Sequence, residues 1–127
     1  MHDRILNDRQ SLMMNAFDKS GVTVFNPGPE LTMENAHELL KLLRVLSSSR
    51  SPNIVVNMQQ TQVLDSTGIG ALLSSMRYVR QLKGGFALSN LSPELERMFS
   101  LMNLHQSMEI FDTVDVATDH LTHRIKT

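Results

Sequence analysis

Val63-Leu64-Asp65-Ser66-Thr67-Gly68-Ile69-Gly70-Ala71-Leu72-Leu73 is the stretch around which the chain is organised: an apolar approach meets a small polar corner and then enters a helix. A short side-chain oxygen at Asp65, Ser66 or Thr67 can accept hydrogen bonds from the first helical amides, which have no partner within the helix. Ser66 therefore stands at a helix entrance. The partial positive charge and free N–H groups there favour an anion, so a phosphate on Ser66 is tolerated locally. It would add about −1.5 to −2 charges to a nearly neutral face, and a partner fitted to one form should reject the other.

Downstream, Ile69, Leu72, Leu73, Met76, Val79 and Leu82 mark one face of a helix over 67–82, with Gly84-Gly85 as its stop. Phe86 to Leu91 is the next expected strand. Ser92-Pro93 is a cap followed by proline at the first helical position, and Leu95, Met98, Phe99 and Met102 form the inner stripe of a helix ending near Asn103. A short strand at Met108-Glu109-Ile110-Phe111 precedes a last helix capped by Asp112 or Thr113, with Val114, Ala117, Leu121 and Ile125 facing inward. Upstream, Asn53 to Met58 is a buried strand. Thr32 can cap a helix in which Ala36, Leu39, Leu40, Leu43 and Leu46 recur at spacings of three and four. Ser11 to Phe17 and Val22 to Phe25 flank Asp18-Lys19-Ser20-Gly21 as a hairpin, and Asn26-Pro27-Gly28-Pro29 must be irregular because proline cannot donate to a ladder. The order β-β-α-β-α-β-α-β-α implies an α/β fold: a single mixed sheet of four to five strands packed against about four helices.

A chain of 127 residues with 41% hydrophobic content suits one domain with a real core. Residues 1–10 are polar and unpatterned, an expected flexible lead-in, and residues 11–127 form that single domain. With 12 Lys+Arg against 13 Asp+Glu and no basic block, the electrostatic footprint of a nucleic-acid binder is missing. There are no cysteines, which excludes disulfides and thiolate chemistry. No apolar run has the length of a signal peptide or a spanning helix, so a cytoplasmic protein without membrane insertion is the simplest expectation.

The buried strand at 53–58, Leu64-Asp65-Ser66-Thr67-Gly68-Ile69-Gly70, the long helix, Gly84-Gly85-Phe86-Ala87-Leu88 and Ser92-Pro93-Glu94-Leu95 together resemble the STAS domain of bacterial anti-sigma factor antagonists. The resemblance covers roughly residues 11–122, and Asp-Ser-Thr-Gly-Ile-Gly is its most specific part. It implies the STAS fold and a phosphorylation-controlled binding protein, not an enzyme. The serine after the aspartate is the family's phosphoacceptor, which places phosphorylation on Ser66. Asp65 would orient the hydroxyl, Thr67 would be a less favoured acceptor, and Gly68 and Gly70 would keep the approach clear. Val63, Leu64, Ile69 and Met98 are candidate partner contacts. The implied partners are a GHKL-type serine kinase that doubles as an anti-sigma factor and a PPM-type phosphatase, with a weak homodimer left open. One departure stands out: family members commonly carry Gly-x-Leu/Ile-Asp after the second strand, whereas this chain has Gly28-Pro29-Glu30-Leu31-Thr32, so Thr32 replaces an acid that could meet a kinase. The pathway served could then be one other than sigma-factor control. A rival role is a constitutive STAS subunit of a transport complex with no phosphate cycle.

Other chemistry is weakly signalled. Asp65-Ser66 lacks the Gly-x-Ser-x-Gly flanks and oxyanion motif of a serine hydrolase, and Gly68-Ile69-Gly70 lacks the third glycine or Gly-Lys-Ser/Thr of a phosphate loop. His120 and His123, three apart on the last expected helix, have no carboxylate pattern to complete a metal site. No catalytic residue, cofactor or metal is therefore expected. The nine methionines fall mostly on the apolar stripes and are expected to fill the core.

Overall fold

The computed structural model describes residues 14–46 and 52–126. The lead-in, the first three residues of the expected opening strand, most of the 47–52 connection and the Ile125 side chain lie outside that description.

The chain opens with an antiparallel hairpin, β1 (Asn15–Lys19) and β2 (Val22–Asn26). The strand runs two residues further than expected, through Asp18 and Lys19. The reversal needs only Ser20 and Gly21, both at positive φ (56° and 82°), the two-residue turn whose twist matches that of the strands. After the irregular Pro27-Gly28-Pro29 come β3 (Glu30–Leu31), α1 (Ala36–Leu46), β4 (Asn53–Asn57), β5 (Val63–Leu64) and α2 (Ser66–Gln81). Then follow β6 (Gly85–Ser89), α3 (Pro93–Leu101), a single 3-10 turn at Leu104–Gln106, β7 (Glu109–Phe111) and α4 (Val114–Lys126).

The main sheet is mixed and five-stranded, ordered β1-β2-β4-β6-β7, with only β1 antiparallel to its neighbour. Each crossover among β2, β4, β6 and β7 moves one strand along in the same direction. Crossovers of one hand then put their helices on one face. Alternation along the strands matches this: Phe25, Ile54, Val56, Phe86 and Leu88 point to the large core shared with Leu39, Leu43, Leu72, Val79, Leu95 and Phe99. The opposite face presents Val22, Val55 and Ala87 to Ala117 and Leu121 of α4.

Local chemistry explains the helix ends. Ser92 Oγ accepts from the Leu95 N–H at 3.2 Å with Pro93 at the first helical position, as the sequence suggests. Thr113, of the two candidates, caps α4: its Oγ1 accepts from the Val116 N–H at 3.1 Å. α2 stops differently from the expectation. Lys83, not a glycine, takes the left-handed conformation (φ 64°), with its N–H on the Arg80 carbonyl and the Gly84 N–H on the Val79 carbonyl. Gly84 is needed for close approach, since a Cβ there would lie 1.8 Å from the Pro52 carbonyl oxygen, and Gly85 already belongs to β6.

The methionine expectation holds for Met58, Met76 and Met108, which are buried. It fails for Met33 and Met102, which sit in turns beyond the reach of either core and are exposed.

Candidate functional site

The site is built where two loops at the carboxyl ends of the strands are zipped together. β3 and β5 form a two-residue parallel ladder, Glu30 beside Val63 and Leu31 beside Leu64. The Pro29 carbonyl accepts from the Gln62 N–H at 2.8 Å, and buried Thr61 donates its hydroxyl to the Gly28 carbonyl at 2.7 Å. Sequence reasoning misses this small sheet because two residues carry no periodicity; the ladder forms only once the loops meet.

α2 begins directly after β5. Asp65 is the N-cap, with extended φ and ψ, and its Oδ1 accepts from the Gly68 N–H at 2.8 Å. Its Oδ2 accepts from the Met33 N–H at 3.0 Å, thirty-two residues away. One carboxylate therefore fastens the helix start to the turn after β3. The hydrogen bond from Gly68 holds the Asp65 pKa below the ordinary carboxylate value; partial burial opposes this, and the Met33 and Thr67 amides add to the lowering. Asp65 thus stays ionised to lower pH than an ordinary carboxylate, and its oxygens are engaged by backbone amides.

Ser66 and Thr67 are the first two helical residues, and both are exposed. The two neighbouring glycines differ. Gly68 is buried against β3: a Cβ there would lie 2.1 Å from the Leu31 carbonyl oxygen and 2.8 Å from Leu64 Cδ1. Gly70 faces open space, with nothing within 4 Å of a Cβ.

Of the apolar candidate contacts, Leu64 and Ile69 are core side chains, 6% and 5% exposed, and Met98 is half-buried against the same core. Val63 is on the surface at 48%. Thr32 is half-buried in the adjoining turn, its Oγ1 accepting from the Glu34 N–H and its own N–H donating to Asn35 Oδ1. It caps that turn, and α1 proper starts at Ala36. The structure also brings forward Met33, 74% exposed, which the sequence stripes did not single out because it belongs to neither periodic helix face.

His120 and His123 turn to different partners. His120 Nε2 lies 2.7 Å from Glu109 Oε2, with its ring against Phe111, while His123 Nδ1 contacts the Asp119 carbonyl of its own helix. No helix among the described residues is long and apolar enough to cross a membrane.

A mixed five-stranded sheet, three helices on one face and a capped Asp-Ser-Thr-Gly corner at the start of the second helix define a mixed α/β domain with its helix-entrance corner on the surface. The model of the STAS domain family matches residues 14–117, and the chain belongs to that family. A candidate anti-sigma factor antagonist of Thermotoga neapolitana is 28% identical over 104 residues, 81% of this chain and 92% of the relative. A crystal structure of the corresponding candidate antagonist from Thermotoga maritima superposes with a TM-score of 0.78 at 26% identity, covering 86% of this chain and 94% of that one. Two further structures share the fold at lower identity. The Bacillus cell-fate determinant SpoIIAA in its phosphorylated form has a TM-score of 0.65 at 21% identity, covering 84% of this chain and 97% of that one. A sulfate transporter family protein from Wolinella succinogenes has a TM-score of 0.73 at 19% identity, covering 87% of this chain and 93% of that one. The chain is thus an anti-sigma factor antagonist-like STAS domain.

Proposed function

We propose that this chain is a cytoplasmic regulatory binding module, not an enzyme, whose docking is switched by a phosphate on Ser66. Unphosphorylated, it binds a GHKL-type serine kinase that also acts as an anti-sigma factor; phosphorylated, it lets that partner go until a PPM-type phosphatase resets it. The observation that carries this is Ser66 itself, an exposed hydroxyl at the first position of a sixteen-residue helix, directly after a cap whose two oxygens are both engaged by backbone amides. A phosphate there meets the positive end of the helix, so the fold tolerates it. The partner must instead accommodate added charge in an interface matched to a neutral hydroxyl. The name of the Thermotoga relative and the solved phosphorylated form of a fold neighbour support this reading.

Incubating the chain with Mg-ATP and each GHKL-type serine kinase encoded in the same genome tests it. One kinase is expected to label the wild type, with the modification mapping to Ser66 and lost in Ser66→Ala. Normal labelling of Ser66→Ala, or no labelling by any of these kinases, would overturn the switch. The transporter-family neighbour favours a second reading, a constitutive subunit of a transport complex. It requires Ser66→Ala and Ser66→Asp to bind their partner equally.

A further inference from the structure

We infer that the partner docking around Ser66 takes Met33 into an apolar pocket rimmed by lysine or arginine side chains, an inference that rests on the docking function proposed above. Met33 is 74% exposed, yet its backbone is fixed: its N–H donates to Asp65 Oδ2 at 3.0 Å, the carboxylate that caps the helix bearing Ser66. The surrounding turn is held as well, by Asn35 Nδ2 on the Glu30 carbonyl at 2.8 Å and the Thr32 N–H on Asn35 Oδ1 at 2.9 Å. A side chain presented on a pre-ordered backbone loses little freedom on binding, and the unbranched, polarizable thioether of methionine adapts to an apolar pocket. Val63, also exposed, stands beside Glu30 in the β3–β5 register and is a second exposed apolar side chain, from the second loop.

Charge defines the rim. The two segments that supply Met33, Val63 and Ser66, residues 28–35 and 60–70, carry Glu30, Glu34 and Asp65 and no lysine or arginine. Neither Glu30 nor Glu34 has an ion-pair partner among the described residues, and both are exposed. A complementary surface is therefore cationic around its apolar centre. The same arrangement accounts for release. A kinase acting on Ser66 must bring its nucleotide phosphates in line with the Ser66 hydroxyl, so a phosphate on Ser66 faces anion with anion while the cations of the rim are occupied by Glu30 and Glu34.

The test is calorimetric titration of the full unphosphorylated chain with the serine kinase that labels Ser66, comparing wild type, Met33→Leu, Met33→Asp and Glu34→Lys at two salt concentrations. Met33→Asp is expected to weaken binding by at least ~30-fold, the scale of a buried anchor, and Met33→Leu by less than ~3-fold. Glu34→Lys should weaken binding several-fold, with a smaller salt dependence than wild type. Met33 and Glu34 are both exposed in the free protein, so the melting temperatures of all three variants should match wild type. Wild-type affinity in Met33→Asp, or equal losses in the Leu and Asp variants, would overturn the apolar pocket. Tighter or unchanged binding by Glu34→Lys would overturn the cationic rim. No binding by the wild type would overturn the docking function itself and this inference with it.

Discussion

Ser66 is the first residue of α2, and the charge beside it is already committed: Asp65 faces the Gly68 and Met33 amides. A carboxylate introduced at Ser66 gains roughly 0.3–1 kcal/mol from the helix terminus and meets repulsion from Asp65, so Ser66→Asp should melt close to wild type. Binding is another matter, because the interface must then bury charge matched to a neutral hydroxyl. We expect Ser66→Asp to weaken kinase binding by at least ~1.4 kcal/mol, a tenfold effect, while Ser66→Ala binds normally. Calorimetric titrations beside thermal melts check this; a collapsed melt in Ser66→Asp alone would show that the hydroxyl serves the fold and not a switch. The serine at the helix start and the aspartate before it were legible in the sequence, but the second contact of Asp65 was not. Its bond to Met33 spans thirty-two residues, and spacing along a chain is silent about such contacts.

At the scale of elements, the start of α2 shows that two glycines in one motif have separate causes. Gly68 lets the helix sit against the β3 backbone, and a methyl group there meets the Leu31 carbonyl, which cannot move without breaking the β3–β5 ladder. Gly68→Ala should cost at least about 2 kcal/mol despite the better helix propensity of alanine. Gly70 faces open space one turn after Ser66, so Gly70→Ala should stabilise the free protein by about 0.5–1 kcal/mol and weaken docking, since the added methyl lies on the approach to the hydroxyl. Chemical denaturation of both variants, with a binding titration of the second, decides the matter; equal destabilisation would mean that Gly70 also serves the fold. The stop of α2 teaches the same lesson. Gly84-Gly85 announced a helix end correctly, yet the left-handed position fell on Lys83, because Gly84 was needed where the Pro52 carbonyl comes closest.

For the whole molecule, the two faces of the sheet are unequally built. Phe25, Phe86 and Phe99 fill the face covered by α1, α2 and α3, whereas α4 rests on Val22, Val55 and Ala87. In the core, Ser89 Oγ and Thr118 Oγ1 are buried with no hydrogen-bond partner among the described residues. A buried hydroxyl without a partner costs about 1–3 kcal/mol, so Thr118→Val, which keeps the shape, should raise stability by about 1 kcal/mol and leave kinase binding unchanged. A lower denaturation midpoint would show that the hydroxyl has a partner such as an ordered water. Though silent on the β3–β5 ladder, the sequence by itself determined the α/β class, the order of the helices and of the main-sheet strands, and the polar serine corner at a helix start. Each of these depends on interactions within a few residues: amphipathic spacing, cap oxygens and a glycine or proline at a boundary. Only the tertiary structure decided which apolar residues near Ser66 are core and which are surface, and that Met33 stands beside Asp65. Leu64, Ile69, Val63 and Met33 are all apolar side chains near the same corner, and their burial depends on whether a strand from elsewhere in the chain covers them.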